Sequence, residues 1–183
     1  MQTEYRGRRI TVIVAQAGIM AALVAVATFL IQIPIPATKG YLNFGDIAIF
    51  ISALTFGPIV GGFAGGVGSA ISDIASGYVY FSPFTLIIKG VEGVFAGLIA
   101  NRVSGKRDVI AVVIGGSEMV IGYFLAEFFG LSEGWAALGE VPFNILQVTV
   151  GGVVGIGIAL LLRKRFPETW IGSARNQAQQ LKS

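Results

Sequence analysis

Lys89 and Glu92 stand three residues apart in the stretch SPFTLIIKGVEG, whose other residues are mostly apolar or small. On a helix that spacing puts a cation and an anion on adjacent ridges of one face. Inside an apolar run each needs a partner or a wet cavity, because an intramembrane charge costs a few kcal/mol to insert. Asn144 and Gln147 repeat the spacing in a later apolar run, while Asp73, Glu118 and Glu127 stand in others. A cation, carboxyls and carboxamides brought together could hydrogen-bond a polar ring from several sides. The plainer alternatives are an ion pair without a ligand for Lys89 and Glu92, and helix-locking hydrogen bonds for Asp73 and Glu118.

The elements that must position these groups follow from composition. The chain has 183 residues, of which 54% are hydrophobic and 13% charged, with a mean hydropathy of +0.77. That balance belongs in a bilayer. Cys and His are both absent, which excludes disulfides, thiol nucleophiles, Cys/His zinc sites and a Ser/His/Asp triad. The basic start MQTEYRGRRI leads into an apolar run too long for a signal peptide and reads as a retained first span.

Apolar segments over 10–33, 41–57, 58–77, 84–101, 108–130 and 142–163 are each close to the length a helix needs to cross the hydrocarbon core. Gly57-Pro58 divides the second from the third. Eleven of the thirteen Lys and Arg fall in three places: Arg6, Arg8 and Arg9; Arg102, Lys106 and Arg107; and Arg163, Lys164 and Arg165 with Arg175 and Lys182. Six spans place all three on the cytoplasmic side, whereas five do not. The expected fold is therefore an all-α integral membrane bundle of six transmembrane helices with cytoplasmic N- and C-termini. It comprises a substrate-binding domain over 1–165 and a polar cytoplasmic tail over 166–183. The net charge of +3 reflects orientation in the membrane, and no nucleic-acid partner is expected.

In this orientation the ionisable groups gather in the outer half of the helices, which suggests one polar cavity open to the outside. The segment PIPATKGYLNFGD after the first span suits a lid, with Tyr41 and Asn43 as candidate ligand contacts. Tyr78, Tyr80, Phe81 and Phe84 read as interface anchors. Ala17, Ala21 and Ala25 form a small-residue strip along the first span, and the glycines of GGFAGGVGSA suit close packing of the third. The latter lacks the ending of a phosphate loop, so no nucleotide site is expected.

Together these features, and above all the run from Gly40 to Ile99, GYLNFGDIAIFISALTFGPIVGGFAGGVGSAISDIASGYVYFSPFTLIIKGVEGVFAGLI, resemble the substrate-binding S component of energy-coupling-factor (ECF) vitamin transporters. The likeness is to the riboflavin-type or general branch. The resemblance implies a non-catalytic, multi-pass subunit in a prokaryotic cell membrane that captures a water-soluble vitamin or precursor from outside. Its partners would be a transmembrane coupling subunit and two cytoplasmic ATPases, and it would need no cofactor or metal of its own. Carried over, ligand contacts fall on Tyr41, Asn43, Lys89, Glu92, Glu118, Asn144 and Gln147, with Asp73 added from its position. Ala17, Ala21 and Ala25 match the coupling-subunit contact. A stand-alone porter or channel for a small polar solute is the alternative, and an intramembrane enzyme using Glu92 and Glu118 is permitted by residue type.

Overall fold

A computed structural model describes residues 2–36, 38–100 and 105–165, with side chains from Ile10 onward. The 166–183 tail and the Arg102 position therefore lie outside the described residues. Within them run six α-helices: α1 (Gln2–Leu30), α2 (Gly45–Phe56), α3 (Pro58–Ala75), α4 (Ser82–Ile99), α5 (Gly105–Leu125) and α6 (Val141–Arg165). An antiparallel hairpin between α1 and α2 pairs β1 (Gln32–Pro34) with β2 (Tyr41–Asn43), Gln32 facing Asn43. A π-turn (Ala126–Gly130) extends α5, and a 3-10 turn (Gly134–Gly139) leads into α6.

Among the described residues, four segments are long and apolar enough to cross a bilayer: Ile10–Leu30, Ser82–Ile99, Gly105–Gly130 and Gly134–Arg165. Large apolar side chains on them, such as Ile19, Leu98, Phe129 and Val153, stand mostly exposed. So much outward apolar surface suits hydrocarbon rather than water.

The second segment departs from expectation. Residues 41–43 form β2, and the helix that follows has only 12 residues. At 1.5 Å per residue it is about 18 Å long, short of the ~30 Å hydrocarbon core. Neighbouring helices rather than lipid surround it, and Ile49, Phe50 and Leu54 lose all exposure. A short apolar helix with no outward face is a core element.

The break after it falls where proline and glycine place it. Gly57 adopts φ 97° and ψ −173°, a region that favours glycine. Its N–H returns to the Ala53 carbonyl at 3.0 Å, and Pro58 opens α3, where its missing N–H leaves no bond unmade.

Helix α3 packs between α1 and α4. A Cβ on Gly66 would lie 2.6 Å from the Leu86 carbonyl oxygen, and one on Gly93 would run into the Gly61 backbone. The α3–α4 seam is thus main chain against main chain, as the glycine-rich sequence suggested.

On the other side of α3 runs the alanine strip of α1. Ala17 and Ala21 are buried, with the Ala21 carbonyl against Gly68, and Ala25 is half-buried. The absence of a side chain on Gly68 lets α3 approach α1, and the smallest α1 residues fill that narrow seam. Ala17 and Ala21 pack inside the chain, and Ala25 lies at the edge of that seam. Among the described side chains of α1, the alanines and glycine left exposed are Ala15, Gly18 and Ala22.

Candidate substrate-binding site

Lys89 joins three helices. Its Nζ donates to Asp46 Oδ1 in the first turn of α2 and to Glu92 Oε2 one turn along α4, the latter at 3.1 Å. Gln147 of α6 donates from Nε2 to the same Asp46 oxygen at 3.3 Å. The Lys89 ammonium also lies 5.7 Å from the centre of the Tyr123 ring on α5. All these groups except Tyr123 are buried. The ammonium is answered by carboxyls within the protein, which is the condition for burying it.

The segment between β1 and α2 is fastened over this hub at three points. Thr38 donates its hydroxyl to Glu140 Oε2 at 2.5 Å, beside the start of α6. Tyr41 donates to Asp73 Oδ1 at 2.5 Å, near the end of α3. The Asn43 backbone N–H donates to Gln147 Oε1 at 2.8 Å. The Asn43 side chain then accepts the Gly45 N–H at 2.9 Å, a local turn that sets where α2 begins.

Beneath the fastened segment lies a cavity of about 20 Å³, lined by Tyr41, Asn43, Asp73, Lys89, Asn144 and Gln147 among others. Six of the eight expected binding residues thus share one wall. Glu92 does not, being fully enclosed behind Lys89. Nor does Glu118, which is half-buried on α5 with Oε2 lacking a hydrogen-bond partner. The cavity is roughly one water in size, too small for a vitamin as it stands.

Several residues of the hub and of the cavity wall went unmarked in the sequence. Asp46 could have been found as the one acid at the head of an apolar run, the natural counter-ion for an apolar-segment lysine. Glu140, beside Pro142 at the mouth of the last helix, carried a similar signal. Thr28, Ser69 and Thr85 carried none, because small hydroxyls are common on membrane helices. Phe81 is a correction: it is 3% exposed and lines the cavity, whereas Trp135 points outward against Phe128.

The far end of the bundle is tied by another charge pair. Arg163 of α6 donates from Nη1 to Asp108 Oδ2 of α5 at 2.7 Å, and from Nη2 to the Leu54 carbonyl near the end of α2. Cavity and basic end thus occupy opposite poles of the bundle.

Residues 10–164 match the family model of the ECF-type riboflavin transporter, S component. A Pyrococcus woesei protein, described as an uncharacterized protein in a gap 3′ region, is 46% identical over 143 residues, covering 78% of this chain and 95% of that one. The thiamine precursor transporter HmpT of Lactococcus lactis subsp. cremoris is 31% identical over 149 residues, covering 80% and 85%. A UPF0397 protein of the same subspecies is 32% identical over 162 residues, covering 82% and 83%. With the family match running from α1 nearly to the end of α6, this chain belongs to the S-component family described as ECF-type riboflavin transporter, S component.

Proposed function

We propose that the chain captures a water-soluble vitamin or vitamin precursor from outside the cell with high affinity and delivers it through an ATP-driven ECF importer. The observation that carries this reading is the polar chamber with walls from α1, β2, α3, α4, α5 and α6, set in a bundle with an apolar exterior. Residues 1–165 form the binding domain in a prokaryotic cell membrane. The chain crosses six times, with the basic pole and both termini cytoplasmic, in keeping with the positive-inside rule. The short α2 makes its crossing inside the bundle, with the hairpin completing the outer part. The named relative HmpT favours a thiamine precursor over riboflavin as the class to test first.

The chain is a binding subunit and not an enzyme. A coupling subunit and two ATPases supply the energy, and the exposed Ala15, Gly18 and Ala22 ridge on α1, with Ala25 at its edge, offers the coupling subunit a close approach. A chamber this small admits a vitamin only after the 34–46 segment lifts, so its three fastenings set the loading step.

Two measurements test this. Mass spectrometry of the detergent-purified chain should find one co-purifying vitamin-like ligand, rebinding at about one per chain. Liposomes should accumulate that ligand only when the coupling and ATPase subunits are present. Flux through liposomes holding this chain alone would replace the proposal with the stand-alone porter.

A further inference from the structure

Lys89 is the single cation on the chamber wall among the described residues, and its charge is already answered by Asp46 and Glu92. Asp73 and Glu140 share the wall and have no cation of their own. Asp73 is 3% exposed; one oxygen accepts the Tyr41 hydroxyl, and Oδ2 has no partner. Glu127, on the π-turn after α5, lies against Glu140 and is wholly buried. Neither of its oxygens accepts a hydrogen bond from a donor of the chain. Two carboxyls thus pair with the ammonium, two more share its wall, and Glu127 lies beside Glu140.

Buried carboxyls without partners are costly until a proton, a donor or a cation answers them. An anionic ligand would add one more charge of the same sign, and Lys89 has no positive charge to spare. A ligand with an amino group meets the unpaired Asp73 Oδ2 directly, with Glu140 on the same wall. Lys89 has three N–H bonds and uses two, which leaves one for an acceptor on the ligand. Tyr41, Phe81 and Tyr123 add aromatic surface to the same wall, suited to a flat ring.

Resting on the reading of this chain as a binding subunit, we propose that the chamber selects an amino-substituted nitrogen heterocycle, neutral or cationic, and rejects anions. The amino group donates to Asp73 and Glu140, and a ring nitrogen accepts from Lys89. The selectivity thus resides in two carboxylates, one of which the sequence did not single out.

The test is calorimetric titration of the full chain in detergent with thiamine, its aminopyrimidine half, pyridoxamine, riboflavin, nicotinate, pantothenate and biotin. Saturable binding confined to the amino-bearing heterocycles is expected. Binding of any of the three carboxylates, or of riboflavin alone, overturns the selectivity and leaves the binding-subunit reading intact. No saturable ligand in the panel and none co-purifying would remove both. For the ligand that binds, Glu140→Gln and Asp73→Asn keep the side-chain shape while deleting the charge, and each should raise Kd about ten-fold or more. An unchanged Kd in either variant, once it elutes and melts as the parent does, overturns the assignment. The panel on the unaltered chain decides the question if neither variant folds.

Discussion

Asp46 and Lys89 meet as an ion pair whose side chains retain 1% and 2% of their exposure. The pair fixes α2, a helix too short to cross the membrane alone, against the middle of α4. Glu92 shares the ammonium and Gln147 shares the aspartate, so three helices are registered by one buried cation. The chamber wall is built on that registration, and ligand recognition and bundle assembly depend on the same residues.

Lys89→Met should be the most damaging change at the hub. It leaves Asp46 and Glu92 buried together without a counter-ion, and stranding a buried charge costs about 3–5 kcal/mol. Asp46→Asn should cost clearly less, because Lys89 keeps Glu92. Thermal unfolding in detergent ranks the two variants. An Asp46→Asn protein melting at or below Lys89→Met would mean that Glu92 does not hold the lysine charge.

Tyr41→Phe tests the fastening of the outer segment. The substitution keeps the ring packed 4.5 Å from Tyr78 and removes only the donor to Asp73. Losing a bond to a buried charged acceptor costs about 1–3 kcal/mol. If the segment must lift to release the ligand, the dissociation rate should rise about ten-fold or more. A stopped-flow rate equal to that of the parent would assign the latch to Thr38 and Asn43 instead.

How far the sequence carried the reading depends on the kind of signal. Helix count and the break at Gly57-Pro58 were legible, since they follow from hydropathy and proline chemistry. Convergence of Lys89, Asp73, Asn144 and Gln147 on one wall was legible because charge in an apolar run demands company. Which partner each would take was not, for Asp46 lies 43 residues from Lys89 and sequence spacing says nothing about distant pairs. The inward turn of Ala17 and Ala21 was equally hidden: small-residue strips serve internal and external seams alike, and only the position of Gly68 decides between them. The short α2 was masked because β2 and α2 together read as one mostly apolar segment of nearly span length.

Gly93→Ala should test the α3–α4 seam against a matched control. A methyl at Gly93 collides with the Gly61 backbone, while nothing lies within 4 Å of one at Gly157 on α6. Overpacking should cost Gly93→Ala about 1–3 kcal/mol. Gly157→Ala should be neutral or stabilising by up to about 1 kcal/mol, since alanine favours helix over glycine. Equal melting temperatures for the two would show that the helices can separate slightly at no cost.

The basic pole offers the test most independent of ligand. Asp108 is fully buried, and Arg163 reaches it from both Nη1 and Nη2 while also meeting the Leu54 carbonyl. One planar fork therefore joins α5, α6 and the C-terminal end of α2, where helix carbonyls lack partners. Arg163→Ala should cost about 3–5 kcal/mol by leaving Asp108 buried alone. Arg163→Lys should recover only part, because an ammonium lacks the planar fork that serves carboxylate and carbonyl together. Replacing both members, as Asp108→Asn with Arg163→Met, should be milder than Arg163→Ala, since no charge is left stranded. Ligand Kd should stay within two-fold for every variant that folds, about the scatter of such a titration, because the pair lies at the pole opposite the chamber. A large change in Kd with an unchanged melting temperature would instead make Arg163 and Asp108 part of the coupling between the chamber and the cytoplasmic side.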